Sequence, residues 1–128
     1  MSNDDGFLII VKKFLEEGTF RDLSQLPPSE KANFDRAAQV LCEREFLIDA
    51  ARVWQMTNNT EKLKLLAEEC LKQKKLEPAL VSFNALRDKE GLERTGYAFL
   101  QIPEVHNALR AFEAADDTMM VSFLKANF

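Results

Sequence analysis

The residues whose types could do chemistry are few: one histidine, His106, two cysteines, Cys42 and Cys70, and pairs of adjacent acids at 16–17, 68–69 and 116–117. A zinc site of ordinary type needs four His, Cys or carboxylate ligands at short spacings, and one His with two scattered Cys does not supply them. Nucleophilic catalysis needs a base beside the Cys or Ser. Here both cysteines fall at apolar positions of helical patterns, while His106, in "PEVHNAL", lies one residue past a core column and is expected to be exposed. The adjacent acids read as solvated helix ends. No Gly-rich loop follows a strand. The reading is therefore of a chain that is not an enzyme and has no cofactor, no metal and no catalytic residue.

Composition narrows the class. The chain has 128 residues, 46% hydrophobic and 30% charged, enough for one globular domain with its own core. Only four Gly and four Pro are present, fewer than the turns of an all-β chain require, so the expectation is all-α. The net charge of −4 argues against nucleic acid as the primary partner. The densest basic run, "KQKK" at 72–75, could hold a phosphate but reads more simply as a solvated turn between helices. Two cysteines without a C-x-x-C pair suit a reducing compartment. "FLIIV", residues 7–11, is too short to span a bilayer and follows acids rather than bases. No membrane insertion and a cytoplasmic location are expected.

The elements that would position any site come from an internal repeat. At an offset of 29 residues, Ala50, Ala79 and Ala108 share a column, and four residues on stand Trp54, Phe83 and Phe112. Ala38, Ala67 and Gly96 form a second small column. Leu41, Cys70 and Phe99 form an apolar one, and Phe34, Leu63, Leu92 and Val121 a fourfold one. Spacing of four puts the small and the large residue on one helix face, so the alanine admits a neighbouring helix and the aromatic fills the gap. Asn59, Asp88 and Asp117 sit one offset apart before apolar-periodic segments and should be N-caps. Pro78 falls near a helix start, where its missing N–H costs nothing. Helix boundaries are expected near residues 45, 59, 75, 88, 102 and 117. One hairpin cannot bury its own apolar face, so hairpins must stack.

The two ends differ. Asp4 or Asp5 can cap a helix through "FLIIVKKFLEE", with Phe7 to Val11 deeply covered and Gly18 as C-cap. Thr19 with Asp22 makes a capping-box-like start for a helix "FRDLSQL", ended by Pro27 and Pro28, with Ser29 capping the next. Residues 4–28 are thus expected to form an atypical hairpin, residues 30–58, 59–87 and 88–116 three repeats, and residues 117–128 a final capping helix, all in one domain. In that last helix Met119, Met120, Phe123 and Phe128 cannot all face inward. Met119, Met120 and Phe123 are candidates for an oligomer contact.

The columns resemble tetratricopeptide-like helical hairpins over residues 34 to 124. The unit is shorter than usual, because "NNT", "RDK" and "DDT" leave almost no linker, and the chain is more similar to the compact hairpins of vesicle-coat and ciliary-transport subunits. The resemblance implies a right-handed α-solenoid whose first helices line a concave, partner-binding surface. Carried over, its groove positions are Ala32, Asp35, Gln39 and Glu43, then Glu61, Lys64, Glu68 and Lys72, then Glu90, Glu93, Tyr97 and Gln101. These hold six acids and two bases, a net −4 that equals the charge of the whole chain. The function implied is a protein–protein interaction scaffold or adaptor taking a basic or neutral peptide or protein. The alternative is an oligomerisation module, such as a homodimer, or a fragment of a larger coat-like helical-repeat assembly.

Overall fold

Helices end in this chain where the apolar period of 3.6 gives way to Asx residues or to a backbone turned left-handed. The computed structural model describes residues 3–18 and 21–128, with the side chains of 3–5 and 7 left aside. These residues carry eight α-helices and no strand: α1 (Asn3–Glu16), α2 (Pro28–Glu43), α3 (Leu47–Met56), α4 (Thr60–Lys72), α5 (Leu76–Leu86), α6 (Lys89–Gln101), α7 (Val105–Ala114) and α8 (Thr118–Asn127). The six turns from α2 onward contain, or lie beside, the six boundaries expected from the sequence.

The turns are built alike. A free helix C-terminus leaves four carbonyls unpaired, and the Schellman arrangement satisfies two of them by turning one residue left-handed. Glu45 and Lys74 have φ of 67° and 62°, and Asn58, Arg87 and Asp116 have 58°, 54° and 57°. Within each group the spacing is 29 residues. The bonds that close these turns keep the same offset. Phe46, Lys75 and Glu104 donate N–H to the carbonyls of Leu41, Cys70 and Phe99 at 2.8, 2.8 and 2.9 Å, and Asn59, Asp88 and Asp117 donate to Trp54, Phe83 and Phe112 at 2.8, 3.0 and 3.0 Å. Pro103 stands where Glu45 and Lys74 are left-handed. Its ring fixes φ near −65° and it has no N–H to give, so of the two Schellman bonds that turn keeps only the outer one.

The residues after these turns start the next helix. The side chains of Asn59, Asp88 and Asp117 accept the backbone N–H of Lys62, Gly91 and Met120 at 3.1, 3.0 and 3.1 Å. Pro78 is the third residue of α5, among the N–H positions that no helix uses, and its carbonyl accepts the Ser82 hydroxyl at 2.8 Å.

The described chain divides into two compact units, Met1–Leu63 and Lys64–Phe128, with the division falling inside α4. In the first, α1, α2 and α3 pack on one another around Leu8, Val11, Phe34, Leu41, Val53 and Trp54. Phe14 stacks on Phe34, with ring centroids 6.2 Å apart. Trp54 Nε1 is buried without a hydrogen-bond partner among the described residues, at the position where Phe83 and Phe112 stand one and two offsets on. In the second unit α6 is central, packing on α5 and on α7, and α7 packs on α8. Two of the chain's four glycines lie inside α6, where each costs roughly 0.5–1 kcal/mol relative to alanine. Both face an aromatic ring. A Cβ on Gly91 would overlap the Phe83 ring, and one on Gly96 would lie 2.7 Å from that of Phe112. The missing side chains are the space those rings occupy, and Phe83, Phe112, Ala79 and Ala108 are fully buried.

The N-terminal expectations need correction. Thr19, Phe20 and the side chain of Phe7 lie outside the described residues. Residues 21–27 are not helical. Asp22 instead accepts both the backbone N–H and the hydroxyl of Ser24, at 2.9 and 2.6 Å. The hydroxyl first, then the N–H, hold its carboxyl below the ordinary range. An Asx side chain competes with the helix for the backbone in this way, and Pro27 and Pro28 leave too few residues to nucleate one. The segment is pinned by Leu23, whose N–H reaches the Met56 carbonyl at 2.8 Å. Ser29 does not cap α2: the helix starts at Pro28, preset for the first position, and Ser29 lies inside it. Asp4 and Asp5 likewise fall inside the first turn of α1. Gly18 does close α1 left-handed, at φ 67°. That helix is covered on one side only. Leu8 and Val11 are buried, whereas Ile9 and Ile10 are 61% and 43% exposed, because α2 and α3 meet a single face.

Phe83→Ala should destabilise the chain by about 3–5 kcal/mol, and Gly91→Ala by about 1–3 kcal/mol through overpacking. Urea unfolding followed by circular dichroism measures both, and a neutral Gly91→Ala would contradict the ring-in-slot contact. Lys74→Gly should move the other way. Relief of the left-handed strain exceeds the added entropy of the unfolded chain, so the midpoint should rise by the equivalent of about 0.5–1 kcal/mol.

Candidate functional site

The expected groove positions fall on the first helix after each Asx cap or proline start, and the two units hold separate parts of the set. In the first unit, Asp35 and Gln39 lie on α2 and Glu61 in the first turn of α4. One oxygen of Asp35 is occupied: it accepts the hydroxyl of the fully buried Thr57 at 2.7 Å. Asp35 thus ties α2 to the residue that ends α3. Gln39 reaches Glu43 at 3.5 Å along its own helix. Glu61 and Lys64 are exposed.

In the second unit, Glu68 on α4 and Glu90, Glu93 and Tyr97 on α6 make up the rest, with Lys64 and Lys72 at either side of Glu68. Arg94 takes both oxygens of Glu68, at 2.6 and 3.1 Å. Its guanidinium also sits 5.5 Å from the centroid of the Phe83 ring. The hydrogen bonds to Glu68, more than its charge, raise the pKa of Arg94 above its ordinary value. Planar guanidinium suits this double task, pairing in its plane and stacking on its face. Glu68 is therefore a link between α4 and α6. A matching pair lies between second helices, where Arg110 on α7 takes both oxygens of Glu77 on α5 at 3.0 and 3.2 Å.

Glu90, Glu93 and Tyr97 occupy one face of α6 at i, i+3 and i+7, the spacing that aligns side chains along a helix. Tyr97 is 49% exposed. Its ring is fixed edge-on against the buried Phe112, centroids 5.1 Å apart and planes at 78°. Such an aromatic presents area to a partner at little entropic cost, because packing already holds it. Sequence reading passed over Arg94 and the exposed Leu65, 60% open on α4. Arg94 falls between two groove positions in the helical register, and its pairing with a glutamate 26 residues earlier leaves no local signal.

His106 is exposed on α7, and Cys42 and Cys70 lie on α2 and α4, so the potential chemical groups sit on different helices. Among the described residues no group of three His, Cys, Asp or Glu side chains could hold a metal ion. No described helix is long and apolar enough to cross a membrane. No family model, no curated protein and no solved structure matches the chain.

Asp35→Ala should cost about 1–2 kcal/mol, since it strands the buried Thr57 hydroxyl with only a long contact to the Trp54 carbonyl. Glu90→Ala, at an exposed position, should change stability by less than about 0.5 kcal/mol. Thermal melts of the two variants distinguish the structural acid from the exposed one.

Proposed function

We propose that this chain is a non-enzymatic protein–protein interaction scaffold of tetratricopeptide-like type, its hairpins wound as a right-handed α-solenoid, and that it takes a basic or neutral peptide or protein segment on the first-helix face. The observation that carries this reading is Tyr97. It is a half-exposed aromatic locked against Phe112, in line with Glu90 and Glu93 on the same helix face. The 29-residue recurrence of caps and left-handed turns supports the repeat reading.

Tyr97 supplies contact area, and the two acids supply selection for positive charge. Exposed charge pairs contribute about 0–1 kcal/mol each and act mostly on the rate of encounter. Aromatic residues dominate binding hot spots, so Tyr97 outweighs either glutamate. Glu68 contributes indirectly, by pairing with Arg94, a cation that also lies within electrostatic reach of Glu90.

The partner is first isolated by affinity capture with mass spectrometry, and its binding segment is then titrated against wild type, Tyr97→Ala and the double variant Glu90→Lys with Glu93→Lys. Tyr97→Ala should weaken binding by about tenfold or more. The double variant should weaken it strongly at low salt and less at high salt, because added salt shortens the Debye length. Equal affinities for all three proteins at both salts would move the site off this face.

A further inference from the structure

The helix α8 presents Met119 and Phe123 to solvent, with Met120 half-buried, and buries Leu124 toward α7. Between α7 and α8 lies an open cavity of about 430 Å³. Val105, His106 and Leu109 line it from α7, and Leu124, Lys125 and Phe128 from α8. Small-molecule sites are typically of this size, walled by apolar side chains with a few polar groups that fix orientation. Four apolar residues make the wall here, and an imidazole and an ammonium are the polar groups. His106 and Lys125 are exposed, which puts both polar groups at the mouth of the cavity.

One offset earlier the same seam is filled. Leu76, Leu80, Thr95, Gly96 and Phe99 correspond to Val105, Leu109, Leu124, Lys125 and Phe128, and all five are buried. Glu77 stands in the column of His106 and pairs with Arg110. The filled seam thus takes a cation at this column. The open seam has an imidazole there, and a lysine in place of Gly96, so the charge it calls for is reversed. Neighbouring acids do not supply it. Glu104 accepts the Asn107 amide at 2.7 Å, Glu113 lines a separate cavity with Arg110, and α8 carries no acid. Among the described residues the side chains of His106 and Lys125 have no hydrogen-bond or ion-pair partner.

We propose that the cavity between α7 and α8 binds a small amphiphilic carboxylate. Its apolar chain lies against Val105, Leu109, Leu124 and Phe128, and its carboxylate accepts hydrogen bonds from the Lys125 ammonium and an imidazole N–H of His106. A carboxylate has two acceptor oxygens for these two donors and one charge for the lysine. A phosphate dianion would leave charge uncompensated beside an apolar wall, and no arginine fork stands there to receive it. An alcohol of the same length lacks the charge, and an ammonium sets a cation against Lys125. The site shares no residue with the Tyr97 face, so occupation of one does not require the other.

Octanoate, octanol and octylammonium share one chain and differ in the head group. Each is titrated into the full chain, and backbone amide shifts are followed by nuclear magnetic resonance. Octanoate should shift Val105, His106, Leu109, Leu124 and Lys125 saturably, and the other two should bind about tenfold more weakly or worse. Lys125→Glu should weaken octanoate by about tenfold or more and turn the preference toward octylammonium. His106→Leu should weaken it by about threefold, the loss of one donor. Both positions are exposed, so circular dichroism should be unchanged. Lys89→Glu makes the same change of net charge on α6 and should leave octanoate binding as it was. Absence of saturable shifts at these residues overturns the proposal. So does equal affinity for the three ligands, which would mean that the cavity reads apolar area alone, and so do equal losses in Lys125→Glu and Lys89→Glu. Tighter binding of the peptide acetyl-Ala-Leu-Phe, with its free terminal carboxylate, would assign the cavity to a polypeptide end and overturn the small-ligand reading.

Discussion

The packing of the second unit depends on a ring entering a gap in a helix. Phe83 and Phe112 approach α6 from its two sides, and at both places α6 has a glycine, Gly91 and Gly96, with no carbon to spare for a side chain. Helical glycine is unfavourable by itself, and a buried phenylalanine contributes several times that loss. The exchange favours the packed state only when both rings are seated, which makes α6 the element that ties its neighbours together. Thr95 answers the same crowding: its hydroxyl, fully buried, donates to the Gly91 carbonyl at 2.8 Å instead of remaining unpaired.

Such contacts demand that each helix arrive at a fixed distance and phase, and the turns supply this. Five left-handed residues, none of them glycine, hold turns of two or three residues closed by the same long-range N–H bond. A non-glycine residue in that conformation is strained by roughly 1–2 kcal/mol. Packing on either side of the turn keeps it there, and after three of the five the Asx side chain that follows leaves no slack before the next helix. Short turns with caps explain how a 29-residue spacing suffices for two helices.

The same framework sorts the surface charges. Glu68 and Glu77 pair with Arg94 and Arg110, and one oxygen of Asp35 accepts the Thr57 hydroxyl. Glu90 stays exposed and Glu93 half-buried beside a ring that Phe112 fixes, and α8 keeps a single charge, Lys125. A chain of net −4 thereby acquires two chemically distinct faces in its second unit, one acidic with an anchored aromatic and one apolar.

By itself, the sequence determined the helix boundaries from residue 45 onward, the three Asx caps, the place of Pro78, and the burial of Ala79 with Phe83 and Ala108 with Phe112. Those follow from local rules: side-chain period, capping oxygen, missing N–H. Tyr97, named from the resemblance and not from a local rule, is half-exposed on α6. The sequence misled at residues 21–27, where the Asp22 turn and two prolines outweighed an apparent capping box, and in α1, where a run of five apolar residues promised burial that one packed face does not provide. Tertiary structure alone decided which charges are spoken for. Arg94 finds Glu68 across 26 residues and Arg110 finds Glu77 across 33, and Thr57 reaches back 22 to Asp35. Pairings at such separations are set by how helices lie side by side, and a period read along the chain does not contain them.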